Sequence, residues 1–112
     1  MNTELNDRLF KFSIDILKFL PSLPLSPEFK VVRYQLAKSS TSSGANYEEA
    51  QGAISRPDFK NKVYLSLKEM RESHYWLRII KQLECKKSDI DYLLKEASEL
   101  KNILGSICIK LK

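Results

Sequence analysis

Two carboxylates, Glu69 and Glu72, stand in an otherwise apolar row in which Leu65, Trp76, Ile79 and Leu83 continue the same three- and four-residue spacing. A third, Glu49, falls on a polar row with Lys38, Ser42 and Asn46, whose separations of four, four and three residues define one helix face. Carboxylates converging inside a helical bundle suggest a di-metal centre, but that chemistry needs Glu-x-x-His pairs. The sole histidine is His74, and the residue three before it is Arg71. Lys38, Ser42, Asn46, Glu49, Glu69 and Glu72 are therefore read as a buried polar network, with Lys38 or Asn46 pairing with Glu69 or Glu72 across two helices. Catalysis is not expected. No second group is spaced to make His74 a base for a nucleophile, and the serine run lacks the glycines and the Lys-Ser/Thr order of a phosphate-binding loop. No Cys/His set has metal-ligand spacing, so neither a metal nor another cofactor is expected.

Binding is the stronger chemistry. Lys60, Lys68, Arg71, Arg78 and Lys81 lie along one stretch with Tyr64 and Tyr75 among them, and cations for phosphates interleaved with aromatics for bases suit nucleic acid. The formal charge of the 112 residues is +5, and its distribution is uneven. Residues 1–52 balance at six basic and six acidic, whereas residues 53–112 carry thirteen against eight. Such an excess attracts a polyanion, and it also describes an ordinary solvated surface with i,i+4 pairs such as Lys68 with Glu72. A second reading stays open beside RNA or DNA binding: a scaffold or accessory subunit that contacts a protein partner through Tyr47, Tyr75 and Trp76, which are equally suited to core packing.

The elements that must position these residues are helices. Leu5, Leu9, Phe12, Ile16, Phe19 and Leu20 predict a helix over about 4–20, ended by Pro21 and Pro24. Ser26 and Pro27 open a second, over about 27–52. Ser55, Pro57 and Asp58 resemble a capping box and open a third, over about 56–84, along Phe59, Val63, Leu67, Met70, Leu77 and Ile80. A fourth, over about 88–111, carries Ile90, Leu93, Leu94, Ala97, Leu100, Leu104, Ile107 and Leu111. Long helices on short connections give an all-α, antiparallel up-down-up-down four-helix bundle forming a single domain. The early apolar run FSIDILKFLPSLPL is broken by Asp15, Lys18 and two prolines, so no membrane association is expected and a cytoplasmic setting is. Cys85 and Cys108 then read as free thiols, about 30 Å apart if the fourth helix begins near Ser88.

Residues 38–50, KSSTSSGANYEEA, begin with the composition of a flexible linker. As a loop they would leave the second helix far too short to cover the third. As helix they match it in length at some cost in propensity, with Ser39, Ser40, Ser43, Gly44 and Ala50 facing large side chains such as Trp76 and Leu77. They are read as helix.

STSSGANYEEA, then SRPDF, then SLKEMRESHYWLRII, resembles the four-helix bundle family encoded by intervening sequences in bacterial 23S ribosomal RNA genes. The likeness spans about residues 10–107 and is densest over 35–80. Ser42, Asn46, Tyr47 and Glu49 match the family's helix-two signature. Ser55, Asp58 and Phe59 match its capping segment, and Lys68, Glu69, Glu72, Tyr75, Trp76 and Leu77 its helix-three signature. Lys38 stands where the family usually has Arg, and Ser43 where an apolar residue is common. The resemblance implies a homo-oligomer, a pentamer about a central axis. It also implies kinship with accessory proteins of diversity-generating retroelements, whose similar basic barrels engage a reverse transcriptase and nucleic acid.

Overall fold

The computed structural model describes residues 3–83 and 88–112. Helix α1 spans Thr3–Phe19 and passes through a 3₁₀ turn, Leu20–Ser22, before the prolines release the chain. Helix α2 spans Pro27–Gln51, α3 Arg56–Leu83 and α4 Ser88–Lys110. The starts follow from capping. The Ser26 hydroxyl accepts the Phe29 amide at 3.3 Å, with Pro27 filling a position whose N–H would have no helical partner. At α3 the Ser55 hydroxyl accepts the Asp58 amide at 3.2 Å, while the Asp58 carboxylate reaches back to the amide of Ile54 at 3.3 Å. That closes the capping box one residue earlier than the usual return to the cap itself.

The molecule measures 44 × 22 × 21 Å, and its long dimension is the length of α3 at 1.5 Å per residue. Each helix packs on its neighbour in the chain and α1 closes the ring against α4, so the topology is up-down-up-down. The core is the meeting of four apolar rows, with Phe12, Ile16, Leu36, Met70, Leu77, Ile80, Leu93, Leu100 and Leu104 fully enclosed. No strand occurs among the described residues.

Residues 38–50 lie inside α2. The buried set of this helix is Phe29, Val32, Leu36, Ser39, Ser40, Ser43, Tyr47 and Ala50. That is an unbroken core stripe in which serines occupy the middle turns. Their partners are not the bulky residues expected from sequence. Ser43 donates to the carbonyl of Ser66 at 2.8 Å, and Ser66 donates back to the carbonyl of Ser43 at 2.7 Å. Each hydroxyl has one proton, so the 3.2 Å approach of the two oxygens follows from this exchange rather than adding a third bond. Ser39 and Ser73 meet at 2.8 Å, and Ser73 also reaches the Glu69 carbonyl at 3.1 Å. A chain from Ser39 through Ser73 to that carbonyl uses one proton at each step. On the other flank Ser13 of α1 bonds the Ser40 carbonyl at 3.0 Å. Small residues meet small residues, hydroxyls satisfy one another, and both neighbours lie close to α2.

Gly44 sits against α1, where an added Cβ would lie 3.5 Å from the Leu9 carbonyl oxygen and 3.5 Å from the Ser13 hydroxyl. Those are ordinary contact distances, so alanine fits. Gly44→Ala is expected to stabilise the fold by about 0.5–1 kcal/mol through helix propensity, and Ser66→Leu to destabilise it by about 1–3 kcal/mol through overpacking. Thermal melting distinguishes the two. A lower melting temperature for Gly44→Ala would show that α1 and α2 cannot accommodate the methyl group.

Candidate nucleic-acid interface

Polar side chains settle differently on each seam of the bundle. Where α1 meets α4, Arg8 forks onto Glu96 at 2.6 and 3.1 Å and reaches Glu99 at 3.1 Å. These contacts hold the guanidinium pKa above its ordinary value. Lys11, Asp15 and Tyr92 form a second polar clasp there, with Lys11 at 2.8 Å from Asp15 and Tyr92 donating to the same carboxylate at 3.2 Å. Charges on this seam are matched.

Between α3 and α4 one pair, Lys81 with Asp91, is matched, and further along the seam the charges are not. Arg71, His74, Tyr75 and Arg78, at steps of three, one and three residues, share one flank of a groove of about 700 Å³. Helix α4 supplies the other flank with Lys101, Asn102, Gly105, Ser106 and Ile109, and Leu67 completes the lining. No carboxylate among the described residues lines the groove. Among the described residues, Arg71, Arg78 and Lys101 take part in no ion pair, whereas Arg8, Lys11, Lys62 and Lys81 are all paired. The field of the groove registers on its histidine. Burial lowers the His74 pKa first, and the charges of Lys101 and Arg78 lower it further. Beneath, the buried Cys108 thiol is pushed up by desolvation, with Arg71 acting weakly in the opposite sense, and the thiol is inert as a nucleophile. Cys85 lies outside the described residues.

The opening has a local cause. Gly105 has nothing within 4 Å of where its Cβ would be, and Ser106 is small and exposed. Two thin positions on α4 leave the space that the long cations of α3 border.

Of the five cations expected to contact nucleic acid, the structure brings together Arg71 and Arg78. Lys60 and Lys68 do not line the groove, and Lys81 is held by Asp91 at 2.7 Å. Lys101 was missed, because its row on α4 reads as a solvated helix face until α3 is laid beside it. The polar network expected between α2 and α3 is corrected as follows. Lys38 and Glu49 are exposed, and Asn46 turns back to the Ser42 carbonyl and hydroxyl at 2.9 and 3.1 Å. Glu72 accepts the Trp76 indole N–H at 3.3 Å and Glu69 is half-buried at the helix edge. Among the described residues no hydrogen bond or ion pair joins Lys38 or Asn46 to Glu69 or Glu72. Tyr47 is buried in the core, Trp76 is half-buried against it, and Tyr75 is exposed. Among the described residues no group of three or more His, Cys, Asp and Glu side chains is placed to hold a metal ion, and no helix is long and apolar enough to cross a membrane.

The family described as 23S rRNA-intervening sequence protein matches residues 2–106. The fold is similar to that of a crystal structure from Bacteroides thetaiotaomicron VPI-5482, a protein of the S23 ribosomal protein family whose function is given as unknown. That chain is 31% identical, with 93% of this chain and 97% of that chain covered and a TM-score of 0.83. No curated protein matches the sequence.

Because the folded state holds His74 below the ordinary histidine range, its neutral form is the favoured one. The stability this gives is complete above the ordinary value and is lost as pH falls through the lowered one. In an NMR titration the His74 ring is expected to titrate below an unperturbed histidine, and Lys101→Gln to move it back upward. An unmoved titration in that variant would show that Lys101 does not contribute to the field.

Proposed function

The chain belongs to the 23S rRNA-intervening sequence protein family, and from that premise we propose that it is a non-enzymatic binding protein that holds RNA or DNA in the α3/α4 groove. One observation carries the reading: three permanent cations, Arg71, Arg78 and Lys101, border a groove on whose walls, among the described residues, there is no carboxylate and no ion pair to any of the three. A phosphate backbone supplies the missing anions, and release of its counterions drives the association. Arginine adds a planar fork suited to phosphate oxygens. The histidine contributes a proton-dependent increment, since an anion in the groove reverses the field that keeps it neutral.

The opposite side of the bundle favours a second contact, between copies of this chain. Phe10 and Leu17 are exposed on α1, one turn either side of Ile14. They border a cleft of about 290 Å³ with Thr41, Gly44 and Ala45 of α2. A row at i, i+4 and i+7 is what a partner helix covers. Since α1/α2 and α3/α4 are opposite seams of the ring, self-association there leaves the cationic groove open. Each added copy brings a further +5 to the assembly.

Binding of labelled structured RNA and duplex DNA across a salt series tests the first part. Affinity is expected to fall linearly with log salt, and removal of Arg71, Arg78 or Lys101 to alanine to flatten the slope by about 0.7–0.9 each. Gly105→Glu sets a carboxylate into the groove without touching the core and is expected to abolish binding while the melting temperature does not fall, since replacing a helical glycine adds propensity. No binding even at low salt would remove nucleic acid and leave a protein partner as the reading. For the second part, light scattering is expected to give a multiple of 13.0 kDa, reduced by Phe10→Glu or Leu17→Glu. A monomer at micromolar concentration for the unaltered protein would exclude self-association.

A further inference from the structure

The cationic groove does not end at Arg78. Tyr75 and Arg78 also line a second cleft on the same seam, of about 330 Å³, whose other walls are Ile79, Lys81, Gln82, Leu83 and Leu94. One end of the seam therefore offers unpaired cations. The adjoining end offers an apolar floor of Ile79, Leu83 and Leu94, one carboxamide, a lysine already held by Asp91, and a tyrosine shared by both. Tyr75 is 51% exposed and has an aromatic neighbour. Its ring packs edge-to-face on Trp76 at a centroid distance of 5.3 Å, and Trp76 is itself fixed by its hydrogen bond to Glu72.

We propose that the ligand of this seam is single-stranded nucleic acid, with phosphates among Arg71, Arg78 and Lys101 and an unstacked base against Tyr75 in the apolar cleft. The inference rests on the reading of the groove as a nucleic-acid site and specifies which form of nucleic acid it takes. Three features select the single strand. A duplex keeps its base faces stacked and presents phosphates and groove edges, so an apolar cleft beside the cations gains nothing from it. The seam lies between two packed helices whose axes are about 8–10 Å apart, and clefts of a few hundred Å³ enclose a nucleotide-sized group, not a double helix. A half-exposed aromatic packed on a second ring and next to an arginine is a stacking platform that accepts any base, since every base has a π-face. Leu83 and Leu94 then cover the base while Gln82 reaches its edge. Arg78, common to both clefts, sits where a base joins its phosphate.

Trp76 is the single tryptophan of the chain, which gives the test an internal reporter. The probes are an RNA strand of about 12 nucleotides, the DNA strand of the same sequence, the corresponding duplexes, and inorganic polyphosphate as a base-free polyanion. At one fixed salt, either single strand is expected to bind at least about tenfold more tightly than its duplex. Tyr75→Ala is expected to weaken single-strand binding about tenfold and to leave polyphosphate binding unchanged, while Tyr75→Phe retains both. The Trp76 emission is expected to change on adding the strand and not on adding polyphosphate. Equal or tighter binding of the duplex overturns the single-strand inference, as does unaltered strand affinity in a folded Tyr75→Ala variant. If that binding is still lost in Arg71→Ala, the groove remains a nucleic-acid site. Absence of binding by every probe overturns both.

Discussion

Where α2 crosses α3, the side chains between the two backbones are hydroxymethyl groups, and the separation of the helices follows from their size. A leucine pair would hold the backbones apart, whereas Ser43 and Ser66 bring each hydroxyl onto the other helix's carbonyl. Buried hydroxyls in an apolar seam are costly unless they are bonded. Reciprocity means that sliding one helix along the other orphans both at once, so the contact fixes register as well as distance. Ser39 with Ser73 repeats the device further along, and Ser13 ties α1 to the same stretch of α2. With α2 held tightly on two sides, the long apolar row of α3 is left to α4, whose own thin positions then decide what lies open between them.

The fold was legible because three of the four helices announce themselves by large apolar residues at helical spacing, and because Ser26, Pro27, Ser55 and Asp58 mark the starts in the chain itself. Residues 38–50 were harder. Serine is polar by composition and core by position, and only the continuation of the stripe from Phe29 through Leu36 to Tyr47 shows that Ser39, Ser40 and Ser43 take the places of leucines. Recognising them as helix was possible from length matching. Recognising that their partners would be other serines was not, since Ser66 and Ser73 look unremarkable inside SLKEMRES. Ser43 is matched by the serine opposite it, Ser66.

The candidate site was half legible. Arg71 and Arg78 stand out on α3, but a cation matters for binding only when nothing in the protein has already neutralised it, and pairing partners come from other helices. Asp91 removes Lys81 from contention, while Lys101 joins from a row that gave no signal by itself. Residues on one face of an isolated helix are a sequence property; the residues bordering a seam are a property of two helices. The carboxylate network failed for the same reason. Glu69 and Glu72 were placed correctly on α3, and the seam they were assigned to was filled from the other side.

Gly105 separates the shape of the groove from the stability of the bundle. Its missing side chain would project into open space, so no core contact depends on what occupies that position. A lineage can therefore narrow the groove, change its charge or give it a new hydrogen-bonding group by one substitution, with the four-helix frame untouched. Drift in the ligand needs no compensating change in the fold. Two chains of this architecture can be superimposable along their backbones and yet have diverged completely in what they hold.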